Sequence, residues 1–258
     1  MSDIAGSFAV NAKTQRLFVW SGIAAVPLMF GGLLLARVLP PHNATWSAER
    51  IVEIYTRHPT LVQLGCVLMM VGFAFWGWWT ASISLWVWRT ESRRFPILTF
   101  ATLVLTAINT MVVELMSISF AVTGFRAGHI SPEITLTLND VSWFLYYYTW
   151  PPYVLWLIAI AIAMLRDKNQ PAIFPRWLGW LTLAECVTIF PNAIQTFHFA
   201  ENGPFAWDGF VTCWLVAGFH GPWTFLVAYY ILKAVKREEK VPNPSSSAKQ
   251  VPVEVYVQ

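Results

Sequence analysis

Six stretches of the chain are apolar over about 20 residues or more, the length a helix needs to cross a hydrocarbon core about 30 Å thick. They cover residues 17–39, 61–88, 96–125, 140–165, 177–199 and 210–235, with short polar segments between them. Each predicts a helix, and together they predict an all-α bundle of six transmembrane spans. Between the first two spans, Ala48, Ile51, Val52 and Tyr55 recur at i, i+3, i+4 and i+7. That is the stripe of a short amphipathic helix, expected to lie on the membrane surface with Glu53 and Arg57 as a favourable i,i+4 pair.

Local signals refine these boundaries. Ser131-Pro132-Glu133 has the order of an N-cap followed by a first helical proline, and Gly203-Pro204 suggests the same for the last span. Pro27 and the Gly31-Gly32 pair lie inside the first span, Pro151-Pro152 bends the fourth, and Gly221-Pro222 kinks the sixth. Residues 1–16 form a polar N-terminal segment. The apolar run after it is too long for a cleavable signal. Residues 17–236 read as one transmembrane domain without an internal repeat. Residues 237–258, charged and then rich in proline and serine, bury too little apolar surface to order themselves.

Composition agrees with a bundle in lipid. Charged residues make up 12% of the 258, half the roughly 25% of a soluble domain. The 15 tryptophans suit membrane–water interfaces. A net charge of +3, with no basic stretch laced with aromatics, excludes nucleic acid as a partner. Cys66, Cys186 and Cys213 sit far apart within apolar runs and read as small buried residues, neither disulfides nor metal ligands.

The basic residues orient the bundle, because their excess marks the cytoplasmic side. Lys13, Arg16, Arg89, Arg93, Arg94, Arg166, Lys168, Arg176, Lys233, Lys236, Arg237, Lys240 and Lys249 fall on one side. Only Arg37, Arg50, Arg57 and Arg126 fall on the other. Both termini are therefore expected in the cytoplasm, with the chain in the plasma membrane.

Ionisable groups inside a span are costly and face a bundle interior or a watery cavity. Glu114 and Glu185 are the clear cases. Glu185, Thr188, Asn192 and Gln195 share one helix face, and His198 continues that line. His220 stands beside the Gly221-Pro222 kink, and Asp140 opens the fourth span. By depth, Glu114, Asn192 and Gln195 lie in the outer half, His220 near the middle, Asp140 at the outer boundary and Glu185 nearer the inner half. Glu114, Asn192, Gln195, His220 and Asp140 are therefore expected to line one outward-opening pocket walled by Tyr146, Tyr147, Tyr148 and Trp150. Polar glue between helices would account for the same residues.

Familiar chemistry is missing. No HxxxH or HxxE pair sits on a span, so no metal centre is expected, and the sequence names no cofactor. No Gly-rich phosphate loop or Ser-His-Asp arrangement stands out. Asn43-Ala44-Thr45 matches the N-glycosylation pattern on the outer side.

Residues 47–55, 139–144, 174–180 and 203–209 resemble a loose group of six-span bacterial membrane proteins, many of them actinobacterial. The resemblance implies the six-span fold, and the group carries no assigned activity. Three functional readings follow from the residues. The chain binds or moves a lipophilic or amphiphilic small molecule through the outward pocket, it acts as a membrane enzyme on a lipid or isoprenoid, or it is a structural subunit that meets partner membrane chains. The lipid bilayer is its solvent in all three.

Overall fold

The computed structural model describes residues 11–91, 95–197 and 201–239, with side chains described throughout except at 194–197. Among them run eight α-helices and no strand: α1 (Ala12–Leu35), α2 (Ala48–Arg57), α3 (Pro59–Thr90), α4 (Ile97–Arg126), α5 (Pro132–Tyr147), α6 (Trp150–Leu165), α7 (Arg176–Phe197) and α8 (Leu215–Glu238). Five elements are long and apolar enough to cross a membrane: α1, α3, α4, the broken pair α5–α6, and α8 with the π-helical turn Phe210–Trp214 that precedes it. The chain is a membrane helix bundle. The expected fifth span, α7, is helical but less apolar, because Arg176, Glu185, Asn192 and Gln195 dilute its aliphatic residues.

Lipid turns the usual pattern inside out. On α4 the aliphatic and aromatic side chains Phe100, Val104, Met111, Leu115 and Ile118 are exposed, whereas Thr102, Thr106, Asn109 and Ser117 are buried. Hydrocarbon welcomes the first set and has no hydrogen bond for the second.

The tightest seam joins α1 and α3. A Cβ on Gly65 would lie 2.5 Å from the Gly32 carbonyl oxygen, and one on Gly32 would lie 2.6 Å from that of Gly65. Small residues thus let the two backbones touch, as membrane helices do where apolar burial gives no drive to associate.

The two ends of the bundle differ. At one end Arg16 of α1 pairs with Glu239, and Arg89 of α3 with Glu238. There Glu91 caps α4, its carboxylate accepting from the N–H groups of Leu98 and Thr99 at 2.8 Å each. Pro96, the residue that precedes α4, offers no side-chain cap, so an acid from the preceding helix satisfies these orphan donors. The 166–175 connection joins the same end, where Asn169 donates to the Arg89 carbonyl at 3.0 Å and Arg237 to that of Ala172 at 3.2 Å. Both described termini therefore meet at one face, the termini end.

The opposite face, the cap end, is closed by two connections. The loop after α1 and the 201–209 segment are stitched by Asn43, whose Nδ2 faces Glu201 O, Asn202 Oδ1 and Asp208 Oδ2 at 3.2, 3.3 and 3.2 Å. Trp207 donates its indole N–H to His42 O at 2.5 Å. Gly203-Pro204 starts no helix. It makes a turn with Gly203 at φ 96°, and Val211 N–H returns to Pro204 O at 2.9 Å. The last helix begins at Phe210 instead. The amide nitrogen of Asn43 that the glycosylation pattern would modify is thus turned into the cap.

Helix α2 packs on the bundle through Ile51 and Tyr55, both fully buried, with the Tyr55 hydroxyl donating to Asn139 Oδ1 at 2.9 Å. Ser47 caps it by accepting from Arg50 N–H at 3.4 Å. The expected Glu53–Arg57 ion pair does not form.

The α1–α3 seam yields a matched pair of variants. Gly65→Val should lower stability by about 1–3 kcal/mol, the usual range for overpacking. Gly31→Ala, at the next glycine of α1 with nothing within 4 Å of its would-be Cβ, should be neutral. Thermal unfolding of both in detergent tests the seam, and equal stability for the two would refute it.

Candidate functional site

The candidate site sits where three helices bring one polar side chain each to a common point. Tyr153 is on α6, Glu185 on α7 and His220 on α8. Their meeting follows from local sequence. Pro151 and Pro152 lack backbone donors, so the fourth span breaks at Tyr148–Thr149 and restarts at Trp150. The restarted helix turns Tyr153, Trp156 and Ile160 inward at i, i+3 and i+7. On α7 the interior stripe is Thr182, Glu185, Ile189 and Asn192, all buried. On α8, His220 follows Val216 and precedes Trp223, Thr224 and Val227 on the packed face.

Glu185 is wholly buried. Its Oε1 accepts the Tyr153 hydroxyl at 2.9 Å and faces His220 Nδ1 at 2.7 Å. The Tyr153 hydroxyl and His220 Nδ1 also touch. A carboxylate oxygen can only accept, so the geometry suits the Nδ1–H form of the ring, donating to Glu185. That leaves Nε2 towards Thr224 Oγ1, 3.5 Å away. The second carboxylate oxygen, Glu185 Oε2, is buried without a hydrogen-bond partner among the described residues.

Tryptophans enclose the cluster. Trp223 stacks on the His220 ring with centroids 5.5 Å apart and planes 23° from parallel. Trp76 and Tyr153 meet the same ring edge-on at 6.5 and 5.5 Å. Trp156 stacks on Tyr153 at 5.8 Å. Two of these indoles are fixed by hydrogen bonds, Trp223 to Thr182 Oγ1 at 2.8 Å and Trp156 to Thr106 Oγ1 at 3.1 Å. An acid, a phenol and an imidazole thus lie within hydrogen-bond reach of one another.

A groove lies on the other side of the break in the fourth span. Its volume is about 690 Å³, and its walls include Val112, Val141, Phe144, Leu145, Tyr148 and Pro152. It is almost wholly apolar. Asp140 is its one carboxylate, half-buried and taking the Asn139 amide at 3.4 Å. Phe144 and Tyr148 stack along it at 4.6 Å.

Of the five residues expected to share one pocket, four have described side chains. His220 belongs to the cluster with Glu185, and Asp140 to the groove. Glu114 is half-buried on α4 and makes no hydrogen bond or ion pair with a described residue. Asn192 is buried on α7, two turns from Glu185. The side chain of Gln195, and His198 entirely, lie outside the described residues. No hydrogen bond joins Glu114, Asp140 and His220. The residue that sequence reasoning missed is Tyr153. Its signal was available: a tyrosine just after a Pro-Pro break, in register with Trp156.

A double-mutant cycle tests whether the three groups act together. Tyr153→Phe should cost about 1 kcal/mol, and Glu185→Leu, which deprives both donors of their acceptor, about 2–3 kcal/mol. The double variant should then be no less stable than Glu185→Leu alone. Strict additivity in reversible unfolding would mean that the groups are independent.

No protein-family model, curated protein or solved structure matches the chain.

Proposed function

We propose that the chain is a six-span protein of the plasma membrane with both termini cytoplasmic, and that it binds or moves a lipophilic or amphiphilic small molecule. The sixth crossing is α7. Parity supports it, since Arg16 and Glu239 meet at one end, which an even number of crossings requires. The basic residues Arg16, Arg89, Arg166, Lys168, Arg176 and Arg237 gather at that same end, which the positive-inside rule assigns to the cytoplasm. A cysteine replacing Ser131 should be labelled by an impermeant thiol reagent from outside intact cells, and one replacing Lys168 only after permeabilisation. The reverse pattern would sink the orientation, and labelling of both from one side would sink the even count.

One observation carries the functional reading. The break at Tyr148–Thr149 forms the end wall of the apolar groove and, a few residues on, sets Tyr153 against Glu185 and His220. The groove has the size of small-ligand sites, about 300–1,000 Å³, and Val141 and Phe144 in its wall are exposed, which would let a molecule dissolved in lipid reach it. Asp140 would hold the polar end of such a molecule and the stacked Phe144 and Tyr148 its body. A ligand that shifts α6 would move the Tyr153 hydroxyl relative to Glu185. Ligand and proton would then be coupled through differential contacts in two helix positions.

Native mass spectrometry of gently extracted protein tests this. A small lipophilic molecule should travel with the wild-type chain and be lost when Val141→Trp fills the groove, while Arg126→Gln, remote from it, keeps the molecule. A chain that carries only partner subunits, or nothing, overturns the ligand reading and leaves the polar contacts as glue between helices.

A further inference from the structure

A second cavity, at the cap end, has opposite chemistry. It measures about 640 Å³ and lies between the chain leaving α1 and one face of α2. Its cationic residues are Arg37, Arg50 and Arg57. The anchoring of α2 dictates this. Ile51 and Tyr55 face the bundle, so Arg50, Ile54 and Arg57, at i, i+4 and i+7, form a neighbouring stripe that walls the cavity. Among the described residues, none of the three guanidinium groups enters an ion pair. Two carboxylates share the same walls, Glu53 and Asp208, the latter also taking the Asn43 amide at 3.2 Å, so the three arginines leave the lining an excess of one positive charge.

Two of the arginines are held in place. The Arg50 guanidinium lies 3.5 Å from the centre of the Trp46 ring. Stacking fixes its plane and leaves its edge N–H groups free for a planar or tetrahedral oxyanion. Trp46 is itself stacked on His42 at 5.3 Å. Arg37 adopts φ 60°, a left-handed backbone that side-chain-bearing residues rarely take and that clusters at functional sites. The conformation is locked, because Arg37 N–H donates to Leu34 O at 3.0 Å and Arg37 O meets His42 Nε2 at 2.9 Å. Burial holds the His42 imidazole below its ordinary pKa, and Arg50 pushes it the same way, against the raising effect of the Arg37 carbonyl. His42 therefore stays neutral here and acts as a brace, leaving the positive charge to the arginines.

We infer that this cavity binds a phosphate-bearing anion through Arg37, Arg50 and Arg57. Its position narrows the class. Leu34, 58% exposed at the end of a membrane-crossing helix, and Ile54 line it beside the arginines. The cavity thus straddles the boundary between apolar and polar surroundings, the depth at which the phosphate of a lipid headgroup lies. The shared chemistry is a phosphate oxyanion, and its source is either an anionic phospholipid or phosphate free in solution.

The test uses the full chain, purified in a neutral detergent, with thermal unfolding as readout. Phosphatidylglycerol, phosphatidylcholine and inorganic phosphate are titrated separately. Phosphatidylglycerol is expected to raise the unfolding temperature and phosphatidylcholine not to. The Arg50→Gln/Arg57→Gln variant should need about tenfold more lipid for the same shift. Glu53→Gln, which removes the competing carboxylate, should need several-fold less, and it keeps the test decisive if the double variant does not fold. Arg126→Gln, an exposed arginine elsewhere on the chain, should behave as wild type. Stabilisation by inorganic phosphate alone, lost in the double variant, also supports the site and assigns a soluble ligand. Equal response to phosphatidylglycerol and phosphatidylcholine, or a response to either anion unchanged by the arginine and Glu53 substitutions, overturns the proposal.

Discussion

Pro151 and Pro152 cannot donate a backbone hydrogen bond, and the arrangement of the bundle follows from where the chain absorbs that loss. A helix in hydrocarbon must satisfy its polar backbone internally, so a break is tolerated only where protein covers it. Here the span divides into two half-helices with different partners. Helix α5 packs with α2 and α4 at the cap end, whereas α6 packs with α3, α4 and α7. The buried core divides in the same way. One cluster is built around Tyr55, Phe120, Trp143 and Tyr147, the other around Trp79, Trp86, Trp156 and Trp223. On one side of the break the Tyr147 hydroxyl donates to the Trp207 carbonyl of the cap. On the other, Tyr153 reaches Glu185. A continuous helix would carry these tyrosines, six residues apart, on faces fixed by its period. The break lets each serve a different half of the molecule.

The hydrophobic pattern reached most of the fold. The expected third span, 96–125, is helix to within a residue at each end, because lipid demands an uninterrupted apolar run and little else produces one. Boundaries failed where local chemistry overrode that demand. The first helix stops at Leu35 rather than residue 39, since Arg37 leaves the helix with a left-handed backbone. The fourth begins eight residues early, at Pro132, because Ser131-Pro132 starts a helix that runs straight into the span. Helix α2 was legible as an amphipathic segment. That its apolar face meets protein was not, because periodicity shows that a face is apolar without showing what covers it.

The site was legible one helix at a time. The stripe through Glu185 and Asn192 was evident from spacing, and His220 stood out beside its kink. What could not be read was that Glu185 and His220 meet. Counting depth at about 1.5 Å per residue assumes straight helices normal to the membrane. Helix α8 begins with a π turn ahead of His220, which turns that residue away from where an ideal helix counted from Phe210 would place it. Helix neighbours are also set by packing at the α1–α3 seam and the cap, which leave no mark in the spacing of α7 or α8. Glu114, singled out as an ionisable group inside a span, is half-buried on α4 and makes no hydrogen bond or ion pair with a described residue.

Polar residues in membrane bundles often serve only to join helices, and this chain has many that do. Gln63 donates to Ala121 O at 2.9 Å, Tyr55 to Asn139 at 2.9 Å, Ser142 to Ser119 Oγ at 2.8 Å and Trp156 to Thr106 at 3.1 Å. Each links one donor to one acceptor across a seam, and contacts of this kind contribute about 0.6 kcal/mol on average. Glue needs nothing more. The Tyr153–Glu185–His220 cluster differs in number and in kind. Two donors from two helices converge on a single carboxylate oxygen of a third, while the other oxygen of that carboxylate has no partner among the described residues. Glu185 is wholly buried, and aromatic rings pack around the His220 imidazole. A helix-joining contact could have been made with an amide or a hydroxyl at lower desolvation cost. An acid, an imidazole and a phenol meeting at one point distinguish this cluster from the seams that join one donor to one acceptor.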